Sequence, residues 1–223
     1  MREVSQLVIN SKIGDSVKGR SLVTYTHPES IVSEQYRSIQ ANINFVMEDK
    51  KSRTFLITSP NKGEGKSTVA SNLAISLAQQ KEKVLLIDAN LRNPSLHSIF
   101  NIKNNSGLTD VLTGRTTFYD EIHHTKIGRL DIIPSGAVPI NPLELLSSPM
   151  MKEILFTALR SYNVVLIDSH SVLELTDTRL LASQCDGVIL VIQSGKTIQG
   201  NALEAKKVLE FSKAKVIGAI INE

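Results

Sequence analysis

With 223 residues, 41% of them hydrophobic and 21% charged, the chain carries enough apolar material to bury a core of its own, which excludes a disordered or low-complexity protein. A single cysteine, Cys185, excludes an internal disulfide and points to a reducing compartment, while a net charge of +3 with no aromatics interleaved among Lys50, Lys51 and Arg53 gives no nucleic-acid groove. No apolar run approaches the roughly 18 residues that span a bilayer, and residues 1–27 lack the apolar heart of a signal peptide, so the expectation is a cytoplasmic protein.

Residues 1–20 are polar and aperiodic, with Gly14 and Gly19 breaking any helix, and read as a flexible arm; residues 21–223 read as one domain. Ser21 to Tyr25 suits a short strand. After Pro28, the stripe Val32, Tyr36, Ile39, Ile43, Val46 predicts an amphipathic helix capped at Ser30 or Ser33, with Glu34, Arg37 and Gln40 together on another face. Lys50, Lys51 and Arg53 read as a solvated loop ahead of the next strand.

The next stretch organises the rest. Phe55-Leu56-Ile57 is a buried-strand run, Thr58 to Thr68 contains Gly63-Glu64-Gly65-Lys66-Ser67-Thr68, and Val69, Ala70, Leu73, Ala74, Leu77 and Ala78 repeat at helical spacing. Glycines between a strand and a helix let backbone N–H groups close around an anion at the positive end of the helix dipole. In that cradle Lys66 reaches the outer phosphates of a nucleotide such as ATP, Ser67 completes the coordination of Mg2+, and Thr68 donates to the inner phosphate. The pattern G-x-x-x-x-G-K-[ST] holds except at its first position, where Pro60 stands.

Lys83 to Ile87 predicts a buried strand ended by Asp88. Residues 91–128 are irregular around a short helix at Leu108 to Leu112, and Leu130 to Pro134 is a strand. Gly136, Pro139 and Pro142 then force a turn before a helix marked by Met151, Ile154, Leu155, Ala158 and Leu159. Strand Val164–Ile167 ends at Asp168, a short helix surrounds Leu180, and strand 188–192, helix 202–211 and strand 216–221 close the chain. Such alternation predicts an α/β fold, a mainly parallel sheet with helices on both faces. Ligands in such sheets sit beyond the carboxyl ends of the strands, so Asp88 and Asp168 face the cradle. Asp168 is the expected ion ligand, and Asp88 either touches the ion or takes a proton from an attacking hydroxyl.

The sequence resembles the bacterial tyrosine kinases of capsule and exopolysaccharide systems, relatives of the ParA and MinD phosphate-loop ATPases. The likeness is carried by Ser33-Glu34-Gln35-Tyr36-Arg37 with Asn42-Ile43, by Val84 to Arg92, and by Gly107 to Leu112. Ile133-Pro134-Ser135-Gly136 with Asn141 to Leu146 completes it. It implies a P-loop fold of the ParA/MinD type and an enzyme that moves the γ-phosphoryl of ATP to protein tyrosines, with Lys66 and Asp88 catalytic. Ser67, Asp88 and Asp168 would hold Mg2+, with Arg92 and Asn222 near the nucleotide. It also implies a ring of copies joined through Glu34 and Arg37, and a membrane-bound activator that recruits the kinase to the inner face of the membrane. Left open are a catalytically weak nucleotide-binding regulatory subunit and a partitioning-type ATPase. Asn90 stands where the family has a second aspartate, Gln40 where it has an arginine, and Ser169-His170-Ser171 where Pro-Pro is usual, with His170 read as incidental. The sequence stops at Glu223 without the family's tyrosine-rich tail, and Tyr25, Tyr36, Tyr119 and Tyr162 do not cluster, which leaves self-phosphorylation no evident acceptor.

Overall fold

The structure, a computed structural model, describes residues 10–11, 22–46 and 53–223. In chain order the elements are β1 (Asn10–Ser11), α1 (Val23–Thr26), α2 (Ile31–Val46), β2 (Arg53–Thr58), α3 (Lys66–Gln79), β3 (Val84–Asp88), α4 (Leu96–Phe100), α5 (Leu108–Leu112) and β4 (His123–His124). There follow β5 (Leu130–Ile133), α6 (Pro142–Ser147), α7 (Pro149–Ser161), β6 (Val164–Asp168), α8 (Thr176–Ala182), β7 (Gly187–Gln193), α9 (Gln199–Phe211) and β8 (Val216–Asn222).

The strands form one eight-stranded sheet in the order β1-β8-β7-β2-β6-β3-β5-β4. Every pairing is parallel except β4 with β5. Alternation along each strand divides the core in two. Leu56, Leu85, Ile87, Val165, Ile167, Val188 and Leu190 face a layer shared with α5 to α9. Phe55, Ile57, Val84, Leu86, Val164, Leu166, Ile189 and Val191 face α2, α3 and α4. Both faces are covered, which is why these strands are unbroken apolar runs rather than alternating ones.

Helix α3 lies between the sheet and α2, and so buries even its polar Ser71, Asn72 and Ser76. This burial overturns the strand expected over residues 21–25: Ser21 lies outside the described residues, and Val23–Thr26 are instead the short helix α1. The N–H and hydroxyl of Thr24 both donate to Asn72 Oδ1 (3.0 and 2.9 Å), and Gln79 Nε2 donates to the Thr24 carbonyl, so α3 side chains satisfy groups a ladder would have used. Helix α2 begins as expected, with Ser30 Oγ accepting the Ser33 N–H.

Gln40, however, is buried and accepts from Ser76 Oγ at 3.5 Å, whereas Glu34 and Arg37 remain at the surface as a pair. Steps of three residues turn about 300° around a helix, so the third member of the triplet rotates toward α3. Arg53 is likewise buried, its guanidinium reaching Asn44 Oδ1 (3.0 Å) and Glu82 (3.5 Å), so the solvated-loop reading fails there; Lys50 and Lys51 lie outside the described residues. Pro142 opens α6 at its first turn, where a missing N–H costs nothing, instead of only ending a turn. Of the arm expected over residues 1–20, only Asn10–Ser11 are described, and they add a short strand to β8.

Candidate nucleotide and phosphoryl-transfer site

The loop between β2 and α3 is shaped by Gly63 (φ +77°) and Gly65 (φ +83°), left-handed positions that favour glycine. A Cβ at Gly65 would also run into the Asn222 amide. Support comes from outside the loop. The buried Glu64 carboxylate accepts from Asn61 N–H (2.9 Å), Asn61 Nδ2 (3.1 Å) and Thr197 Oγ1 (2.6 Å), and the Glu64 carbonyl accepts from Asn222 Nδ2 (3.3 Å). Lys196 Nζ donates to the Gly63 carbonyl (2.8 Å), and Glu174 accepts the Lys62 N–H (2.9 Å). The N–H groups of residues 63–68, in contrast, donate to no other group among the described residues. They are left for a ligand.

The crevice they face measures about 300 Å³ and is lined by Lys62, Gly63, Gly65, Lys66, Ser67, Thr68, Asn90, Asn93, Ser95 and His170. Lys66 is 7% exposed and makes no ion pair or hydrogen bond among the described residues. A buried ammonium without a partner is costly, and an anion in the crevice removes that cost.

Strand register places the two acids side by side, because Asp88 is the direct neighbour of Asp168 across β3 and β6. Both are fully buried. The Asp88 carboxylate accepts the N–H groups of Asn90 (3.2 Å), Ser95 (2.9 Å) and Leu96 (3.0 Å). Burial pushes its pKa up to about 6, against the pull of those hydrogen bonds and of nearby His97. Among the described residues there is no group of three or more His, Cys, Asp or Glu that would cage a metal by itself. The donors present suit Mg2+, which keeps waters and takes phosphate oxygens alongside one hydroxyl and one or two carboxylates.

The site residues expected from the sequence thus divide. Gly63, Gly65, Lys66, Ser67 and Thr68 line the crevice, whereas Asp88 and Asp168, expected to face it, are fully buried at the ends of β3 and β6 and are not among its lining residues. The side chains of Glu64 and Asn222 brace the back of the loop, and Arg92 Nε is drawn to Asp177 (3.1 Å). His170, read as incidental, is buried in the crevice wall, where burial and then Lys66 hold its imidazole below the usual range against the pull of its neighbours Ser171, Glu174 and Asp177. Sequence reasoning also missed Asn93, Ser95, Glu174, Lys196 and Thr197. None belongs to a local pattern; each reaches the loop or crevice only through the fold.

A family model described as an AAA domain matches residues 52–214. The chain is 44% identical over 203 residues to the tyrosine-protein kinase YwqD of Bacillus subtilis (strain 168), covering 91% of this chain and 86% of that protein. It is 36% identical over 191 residues to the tyrosine-protein kinase CpsD of Streptococcus agalactiae, covering 85% and 82%. Among solved structures, that of the chimerical protein CapA2B2 superposes with a TM-score of 0.86 at 37% identity, over 90% of this chain and 88% of the other. The septum site-determining protein MinD from Pyrococcus horikoshii OT3, solved with Mg-ADP, gives 0.66 at 26% identity over 77% and 70%.

Proposed function

The chain belongs to the bacterial tyrosine-protein kinases of capsule and exopolysaccharide systems, with the nucleotide-binding phosphate-loop fold they share with MinD, and from that premise we propose how its crevice works. The nucleotide is ATP and the ion Mg2+, which together supply the phosphoryl group and neutralise its charge. The observation that carries this reading is the buried, unpaired Lys66 facing a loop of unused N–H groups: the protein holds positive charge and donors in place before any phosphate arrives.

The chain's own part is positioning and electrostatics. Residues 63–68 fix the phosphates through main-chain N–H groups, Lys66 concentrates positive charge on the outer ones, and Ser67 offers its hydroxyl to the ion. Asp168 holds the ion from behind. Asp88 either shares that task or accepts the proton of the tyrosine hydroxyl, for which a carboxylate with a raised pKa is well matched to neutral pH. Arg92, paired with Asp177, stiffens the turn after β3.

A similar solved structure is a chimerical protein, CapA2B2, whose name joins an A part to the B of the relative CapB; it supports a second protein acting with the kinase, here proposed to be a membrane-bound activator that brings it to the inner face of the membrane. No helix among the described residues is long and apolar enough to cross a membrane. The surface pair Glu34 and Arg37 is the proposed contact between copies in a ring. The decisive assay is transfer of label from γ-labelled ATP to tyrosine, with Mg2+ and the activator's cytoplasmic segment present. Lys66→Met should lower the rate roughly a hundredfold or more; an unchanged rate would remove the crevice from the mechanism.

A further inference from the structure

The crevice is completed beside the cradle by Asn90, Asn93 and Ser95, none of which ionises. The acid nearest to them in sequence, Asp88, has its carboxylate turned to the N–H groups of Asn90, Ser95 and Leu96. Asn90 is 5% exposed. Its Oδ1 accepts the Asn93 N–H at 3.4 Å, an N–H shared with the Asn90 main-chain oxygen at 3.1 Å. That leaves the NH2 end, which donates to no group among the described residues, for the crevice. Ser95 is 4% exposed, and its Oγ has no hydrogen-bond partner among the described residues.

A buried hydroxyl with no partner carries a cost of desolvation that a ligand atom can relieve. An amide NH2 can only donate, so it cannot ligate a cation, whereas it suits an anionic oxygen. Lys66, across the same crevice, already selects for an anion.

We propose that Asn90 and Ser95 bind the terminal phosphoryl group of the nucleotide, so that neutral donors distinguish a nucleoside triphosphate from a diphosphate at this wall. The proposal rests on the nucleotide reading of the crevice and concerns the turn after β3. An aspartate at position 90 would meet the same phosphoryl group only through an ion. Asparagine binds it directly.

The test is calorimetric titration of the full chain with ADP and with the inert imido analogue of ATP, in EDTA and in Mg2+. The unmodified chain should prefer the triphosphate even in EDTA. Asn90→Ala and Ser95→Ala should each weaken the triphosphate about tenfold and ADP less than about twofold, the size of one hydrogen bond to a charged group. Asn90→Asp, of the same shape, should weaken the triphosphate in EDTA and recover with Mg2+. Equal losses for both nucleotides would show a structural role and overturn the proposal, as would undiminished triphosphate binding by Asn90→Ala and Asn90→Asp in EDTA. Failure of the unmodified chain to bind ADP at all would defeat the nucleotide reading, and the proposal with it.

Discussion

At the scale of single residues, the chemistry depends on groups held in states that water would not favour. Asp88 is the clearest case, since burial lifts its pKa to about 6 while three N–H groups keep the ionised form available. A protonated carboxyl neither takes a proton nor draws in an ion. Phosphotransfer should therefore decline as the pH falls through about 6, and a pH profile of kcat/KM, which reports the free protein, should show that acid limb. In Asp88→Asn the rate should be low throughout and the limb absent. Cys185 illustrates the opposite outcome of burial: its thiol is pushed above the usual range, first by desolvation and then by Asp186, and it donates to the Leu181 carbonyl, so it belongs to packing and not to chemistry.

At the scale of elements, the phosphate loop is positioned less by its own glycines than by what stands behind it. Replacing Glu64 by Gln turns one buried acceptor into a donor that faces the donors of Asn61 and Thr197. This change should cost about 1–3 kcal/mol of stability, read from chemical denaturation, and should lower nucleotide affinity, because the loop loses its outer brace. The loop, its helix α3 and the strand ends were legible because they are local: Phe55 to Ala78 carries its glycines, lysine and helical stripe in one stretch. Glu64 shows where local reading stops. Its place in the motif identifies it as part of the cradle, yet its carboxylate points outward to Thr197, which is 133 residues away. Thr24 and Gln40 fail for the same reason: both are decided by α3, whose polar side chains impose a helical turn on one and burial on the other.

At the scale of the molecule, the surface of α2 is the place to test assembly. Arg37 Nε bonds Glu34 at 2.8 Å and Nη1 bonds the Pro28 carbonyl at 3.0 Å, all at the exposed side of the helix. Arg37→Glu should shift sedimentation of the protein toward single copies while calorimetric ADP binding is retained; unchanged sedimentation would place the contact elsewhere. The sheet order itself separates neighbours in sequence, with β2 between β7 and β6 and with β8 beyond β7. Asn222, on β8, reaches back across 158 residues to the Glu64 carbonyl. A ribosome therefore releases the brace of the phosphate loop long after the loop itself, and every chain passes through a period in which the cradle exists without its support. Such distant contacts are closed late and slowly. A ligand that binds only the finished fold stabilises it by mass action, so the cell's own nucleotide pool favours completion of the kinase and rewards no chain that stops short of β8.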